Sequence, residues 1–136
     1  MSLTKVSYSM IQGADVNALD YGAIPGGSAA VNTPALQAAI NYAATNGLIL
    51  RIPAGTYLIN ANLTLPSKVG NSNFYVNIQG EGFETVIQAS GSVTKIFEFG
   101  LTAAEEVTFA SISNMLLIGG QYGIYCPVLS HSSFSN

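Results

Sequence analysis

Apolar and polar positions follow two distinct rhythms along this chain. Leu36, Ala39, Ile40 and Ala43 recur at i, i+3, i+4 and i+7, the spacing of one helix face, and Gln37, Asn41 and Thr45 point away from that stripe. The pattern predicts a single helix over 34–46. Asn32 or Thr33 caps its N-terminus, Pro34 takes the first helical position, where a missing N–H costs nothing, and Gly47 is a left-handed stop. From Leu48 onward no helical period returns. Short runs of strand character follow instead, at 48–52, 56–59, 62–65, 75–79, 85–89, 95–99, 107–112, 115–118 and 123–126. Turn clusters such as Pro53-Ala54-Gly55, Pro66-Ser67, Gly70-Asn71-Ser72-Asn73, Gly80-Glu81-Gly82 and Gly119-Gly120 part them. Ahead of the helix, Val16 to Tyr21 alternates as a short strand and Pro25-Gly26-Gly27 forces a loop. Lys5 to Ala14 reads as an extended lead-in.

Many short strands are compatible with a sandwich or barrel, but Asn-Gly and Asp-Gly hairpin turns are missing, which weakens an antiparallel meander. The return of Asn77-Ile78-Gln79-Gly80 as Asn114-Met115-Leu116-Leu117-Ile118-Gly119 favours stacked coils with a Gly-bounded turn. The expected fold is therefore all-β: a right-handed parallel β-helix, or solenoid, with one N-terminal capping α-helix. Leu36 and Ile40 of that helix would each contribute about 1.5–3 kcal/mol by covering the open end of the stack. A solenoid needs a cap at both ends. His131-Ser132-Ser133-Phe134-Ser135-Asn136 offers neither helix nor closing motif, so the expectation is a chain truncated at its C-terminus, the front of a longer protein. Residues 1–15 would be a lead-in arm or junction, and 16–136 the capping helix with the first coils.

Composition narrows the possible roles. The 136 residues suit one domain, and only 8% are charged against 49% hydrophobic, so the surface rests on Ser, Thr, Asn, Gln and Gly. Such a surface suits stacked strands, where like charges would repel, and sugars, whose hydroxyls need neutral donors and acceptors. A net charge of -3 and four scattered basic side chains, Lys5, Arg51, Lys68 and Lys95, argue against nucleic acid. Cys126 is single and reads as a small buried hydrophobe; no CxxC or CxxH spacing exists, so neither metal nor cofactor is expected. The first ten residues lack the apolar stretch of a secretory signal, and no window has the length of a membrane span.

Val16-Asn17-Ala18-Leu19-Asp20-Tyr21-Gly22-Ala23, Asn32-Thr33-Pro34-Ala35-Leu36-Gln37-Ala38-Ala39-Ile40, Ile52-Pro53-Ala54-Gly55-Thr56-Tyr57, Leu63-Thr64-Leu65-Pro66-Ser67 and Ile78-Gln79-Gly80-Glu81-Gly82 together resemble the opening of the pectate-lyase-like superfamily of right-handed parallel β-helices, over residues 16–90. Relatives commonly carry Gly-Asp-Gly and then Asp-Asp-Thr before the helix. Here Pro25-Gly26-Gly27-Ser28 and Val31-Asn32-Thr33 stand instead, so the acidic pair is lost and capping alone is retained. The lead-in Thr4 to Ala14 looks like the junction of bacteriophage tailspike and tail-fibre proteins. That resemblance implies a homotrimer in a virion tail, made in the host cytoplasm without a signal peptide. Its partner would be a bacterial surface polysaccharide, bound and, by the whole protein, depolymerised. Two other readings stay open: a non-enzymatic structural or adhesin component of a tail, and a cellular pectin-type lyase or hydrolase.

Glycan hydrolysis needs two carboxylates about 5–9.5 Å apart, and elimination needs a base with a charge neutraliser. Of the acids, Asp20 is expected to bond the turn amides ahead of Gly22, and Glu81, Glu84, Glu105 and Glu106 to face water in loops. Glu98, between Phe97 and Phe99, belongs on the outer face of its strand if the two rings point inward, which makes it the candidate catalytic acid. Resemblance to the fold places catalytic acids on later coils, beyond this segment. His131 has no acid nearby to orient it and is assigned to the surface. Tyr57, Tyr75, Tyr122 and Tyr125 are candidate sugar-stacking residues, against the alternative that they pack inside the coil.

Overall fold

The computed structural model describes residues 15–65, 75–99, 109–125 and 132–134; the lead-in, Lys68, Glu105, Glu106, Cys126 and His131 lie outside them, as does the Tyr75 side chain. In chain order the elements are β1 (Val16–Asn17), a 3-10 turn (Ala18–Tyr21), α1 (Ala29–Asn46), β2 (Ile49–Arg51), β3 (Gly55–Ile59), β4 (Leu63–Leu65), β5 (Tyr75–Gln79), β6 (Thr85–Ala89), β7 (Lys95–Phe99), β8 (Phe109–Ser113), β9 (Leu116–Ile118), β10 (Tyr122–Tyr125) and β11 (Ser132–Phe134).

The strands form three sheets, ordered β1-β2-β5-β8-β11, β3-β6-β9 and β10-β7-β4. Every pairing is parallel. From β2 to β10 the chain visits the three sheets in the same order on each round, and β11 returns to the first. This is consistent with a parallel β-helix. The register stacks like on like: Leu50, Ile78 and Ile112 in the first sheet, Tyr57, Ile87 and Leu117 in the second, Leu63, Phe97 and Ile124 in the third. Period-two alternation sends these side chains to one face, and in-register parallel pairing repeats that choice round after round. The core follows from the columns: Leu50, Ile78, Ile112, Tyr57, Ile87, Leu63 and Phe97 are all buried.

Leu36 and Ile40 of α1 are buried in the same core, and Gly47 ends the helix in the left-handed region at φ 65°, where an L side chain would be strained. The start of the helix corrects the expectation. It begins at Ala29 behind Ser28, whose side chain makes no capping bond, and Pro34 lies inside it rather than at its first position. Ala30, whose carbonyl loses the bond that a residue-34 N–H would give, is exposed as Pro34 is, so the gap faces water. Asn32 and Thr33 are not caps either. The buried Asn32 amide accepts from the Ile24 N–H (2.7 Å) and donates to the carbonyls of Ile24 (3.0 Å) and Gly27 (3.4 Å), pinning the Pro25-Gly26-Gly27 loop. The Thr33 hydroxyl donates to Asn60 Oδ1 and accepts from the Asn60 N–H, tying α1 to the β3–β4 turn.

Each strand of the first round meets a different partner on its outer edge. β2 pairs with β1. On β3, the Thr56 carbonyl accepts from the Gly26 N–H at 2.8 Å. On β4, Thr64 receives a side chain: its N–H donates to Gln37 Oε1 (2.8 Å) and its carbonyl accepts from Gln37 Nε2 (2.7 Å). Gln37, expected to face away, therefore closes an edge.

Other differences are local. Val16 to Tyr21 is strand for two residues only, because Asn17 Oδ1 takes the Leu19 N–H (2.9 Å) and turns the chain into the 3-10 turn. That bond comes from Asn17 and not from Asp20, which is exposed. β11 adds a strand where none was expected. At the turn after β5, a Cβ on Gly80 would run into the Asn114 carbonyl of the next round, so only glycine lets these turns stack.

Candidate functional site

The outer face of the third sheet gathers the polar and aromatic groups that the core excludes. In β7, Phe97 and Phe99 are buried and Glu98 points outward between them, half-buried. In the ladder Glu98 stands between Thr64 of β4 and Tyr125 of β10. Lys95 is three residues earlier, and strict alternation would put it on the opposite face. Ile96 and Phe97 are both fully buried, however, so the alternation slips by one and Lys95 joins Glu98 outside.

Glu98 Oε1 accepts from Lys95 Nζ at 2.9 Å and Oε2 from Asn62 Nδ2 at 3.1 Å. Asn62 Oδ1 in turn accepts the Lys95 main-chain N–H at 3.2 Å. The ammonium stands 4.1 Å from the centroid of the Tyr125 ring, a cation–π geometry. Tyr122 continues the patch, its ring 5.6 Å from that of Tyr125 and tilted by 58°, and it is 50% exposed.

The Lys95 hydrogen bond, followed by that from Asn62, holds the Glu98 carboxyl below its ordinary range, against the opposing effect of burial. The same bond to Glu98 raises Lys95. At neutral pH both groups are charged and both carboxylate oxygens are occupied. A carboxylate held ionised is no proton donor, and hydrolysis would need a second carboxylate across the scissile bond. The other described acids are engaged or placed elsewhere. Asp15 pairs with Arg51 at 2.7 Å, Glu81 accepts the Ala54 N–H, and Asp20 and Glu84 are exposed in turns. The arrangement offers hydrogen-bonding groups of both signs beside two tilted rings, which is equipment for holding a polyhydroxylated ligand.

The structure thus brings Glu98, Tyr122 and Tyr125 together and separates Tyr57 from them. Tyr57 is buried in the second sheet, its hydroxyl donating to the Pro53 carbonyl at 2.9 Å. Burial, helped by the charge of Glu81, pushes its phenol up to about 12. It packs inside and stacks on no ligand. Asn62 and Lys95 were not singled out from the sequence. The available signal was weak: Asn62 is 36 residues from Glu98, one round away, and Lys95 depends on the slipped alternation. Among the described residues no group of three or more His, Cys, Asp or Glu side chains comes together, and no helix is long and apolar enough to cross a membrane.

Comparison with known proteins agrees with this architecture. A solved structure, ORF18 of Geobacillus virus E2, superposes with a TM-score of 0.68 at 26% identity, over 88% of this chain and 24% of that one. This chain therefore spans about a quarter of that protein. No curated protein sequence matches it. The family described as rhamnogalacturonase A/epimerase, pectate lyase-like, matches residues 15–118, which takes in the capping helix, β1 to β9 and most of the patch on the third sheet. With that match over most of its length, the chain belongs to the pectate-lyase-like family of the rhamnogalacturonase A/epimerase type.

Proposed function

We propose that this chain is the opening segment of a phage or prophage tailspike, in which the three sheets close into a right-handed solenoid, and that it contributes to recognition of a bacterial surface polysaccharide. The observation that carries this reading is the patch of Lys95, Glu98, Asn62, Tyr122 and Tyr125 on the outer wall of a pectate-lyase-like strand stack. Likeness to a Geobacillus virus protein supports the phage setting and a place in the virion. In this reading Tyr122 stacks on a sugar ring while the ion pair and Asn62 bond ring hydroxyls. The longer protein depolymerises the glycan with acids outside this segment, as a homotrimer. Glu98, ionised and holding one partner on each oxygen with acceptor capacity to spare, favours binding over chemistry at the patch itself.

The test uses the full-length protein with capsular and O-antigen polysaccharides of candidate hosts. Binding together with new reducing ends marks a hydrolase, and binding with unsaturated uronate marks a lyase. Binding with no product marks an adhesin. Failure to bind any surface polysaccharide would sink the proposal. Light scattering of the same sample reads the oligomeric state.

A further inference from the structure

The patch on the third sheet carries charges that cancel one another. Lys95 Nζ and Glu98 Oε1 stand 2.9 Å apart, and the two side chains are 26% and 27% exposed. The ammonium also lies over the Tyr125 ring, 4.1 Å from its centroid. Neighbours in the ladder are uncharged: Thr64 and Tyr125 beside Glu98, and Tyr122 beside Lys95. Among the described residues the other cation, Arg51, is held by Asp15 at 2.7 Å, while Asp20, Glu81 and Glu84 have no cation within bonding distance.

We infer, resting on the glycan-binding reading of this patch, that the sugar it holds is an uncharged hexose gripped through two adjacent ring hydroxyls, and not a uronate or another acidic residue. An ammonium has three N–H donors and a carboxylate oxygen about two lone pairs, so the Lys95–Glu98 bond leaves both groups capacity for a ligand. A donor and an acceptor 2.9 Å apart match the spacing of neighbouring hydroxyl oxygens on a pyranose ring. One hydroxyl accepts from Lys95 Nζ and the next donates to Glu98 Oε1. Both bonds are charge-assisted, and neither needs a charge on the ligand. Tyr122, 50% exposed, offers the ring face on which the pyranose stacks. A sugar carboxylate would fare differently. It has no proton to give Glu98 and meets that group's charge at close range, while the Lys95 charge that would offset the repulsion is already engaged. The formal net charge of -3 opposes an acidic polymer at longer range as well.

Neutral capsular and O-antigen polysaccharides of candidate hosts are titrated calorimetrically into the full-length protein, beside the same polymers after selective oxidation of their primary alcohols to carboxylates, a change that leaves the ring hydroxyls in place. The oxidised polymer is expected to bind about tenfold more weakly, and affinity for the neutral one is expected to be the same at low and high salt. In Glu98→Gln, which releases the Lys95 charge, the preference is expected to narrow or reverse. Equal or tighter binding of the oxidised polymer by the wild type would overturn the inference while leaving glycan recognition standing. A preference unchanged in Glu98→Gln would overturn it too, by placing the discrimination away from the ion pair. Binding of neither polymer would overturn both this inference and the reading it rests on.

Discussion

Asn32 and Asn62 are the same residue type doing opposite work. At the capped end every partner of Asn32 is main chain, and the residue is fully buried. On the wall of the third sheet, Asn62 gives one end of its amide to the Lys95 main chain and the other to the Glu98 carboxylate, which reaches solvent. A buried polar side chain whose partners are all main chain holds a loop in one shape, and its loss leaves those groups without that partner. One that ends on an outward side chain organises a surface instead. The comparison separates a residue that shapes a loop of the fold from one that arranges its outer wall.

The largest test of the capped end is Leu36→Asp, which puts a charge beneath α1 in the core. Loss of at least about 4 kcal/mol is expected, seen as a collapsed thermal transition; unchanged unfolding would remove the capping role. Asn32→Ala should cost about 2 kcal/mol by leaving the Ile24 and Gly27 groups unpaired, measured by denaturant midpoint, with glycan affinity intact while the protein is folded. Glu98→Gln should cost under about 1 kcal/mol, as expected for a surface pair, and its effect should depend on pH. A carboxyl held below its ordinary range contributes stability above that range and loses it as pH falls through the lowered value. Lys95, raised by the same bond, loses its share only as pH climbs past the lysine range. Wild type and Glu98→Gln should therefore differ at neutral pH and converge in acid; a constant difference would show that the bond contributes nothing. Smallest in stability is Tyr122→Ala, within about 0.5 kcal/mol, yet it should weaken glycan binding by up to about tenfold. Equal losses of binding in Asn32→Ala and Tyr122→Ala, under conditions where both are folded, would erase the distinction.

The strands were legible because their inward columns are aliphatic and aromatic on every round: 75–79, 85–89 and 95–99, read as short runs of strand character between turn clusters, coincide with β5, β6 and β7. The start of α1 was not, because Asn32-Thr33-Pro34 has the composition of a helix start while its side chains are committed to Ile24, Gly27 and Asn60. Local spacing carries no trace of those distant partners. Tyr57 was ambiguous for another reason. Tyr57, Leu58 and Ile59 are apolar on both faces of β3, so alternation could not say which face was inside. At the patch, Glu98, Tyr122 and Tyr125 were visible as candidates one at a time. Their assembly with Asn62 is a property of the parallel register, which places residues a full round apart side by side.

Gln37 carries a consequence beyond the edge it covers. Its carboxamide presents one acceptor and one donor to Thr64 and so stands in for a single peptide unit of a neighbouring strand. With β1 on β2 and Gly26 on β3, each strand of the first round carries a partner on that side. From β2 to β10 the rounds follow chain order, which gives the stack a direction, the same one in which a ribosome delivers it. The closed end is the first to be made and serves as a doorstop, turning away stray strands while the rest of the chain is still arriving.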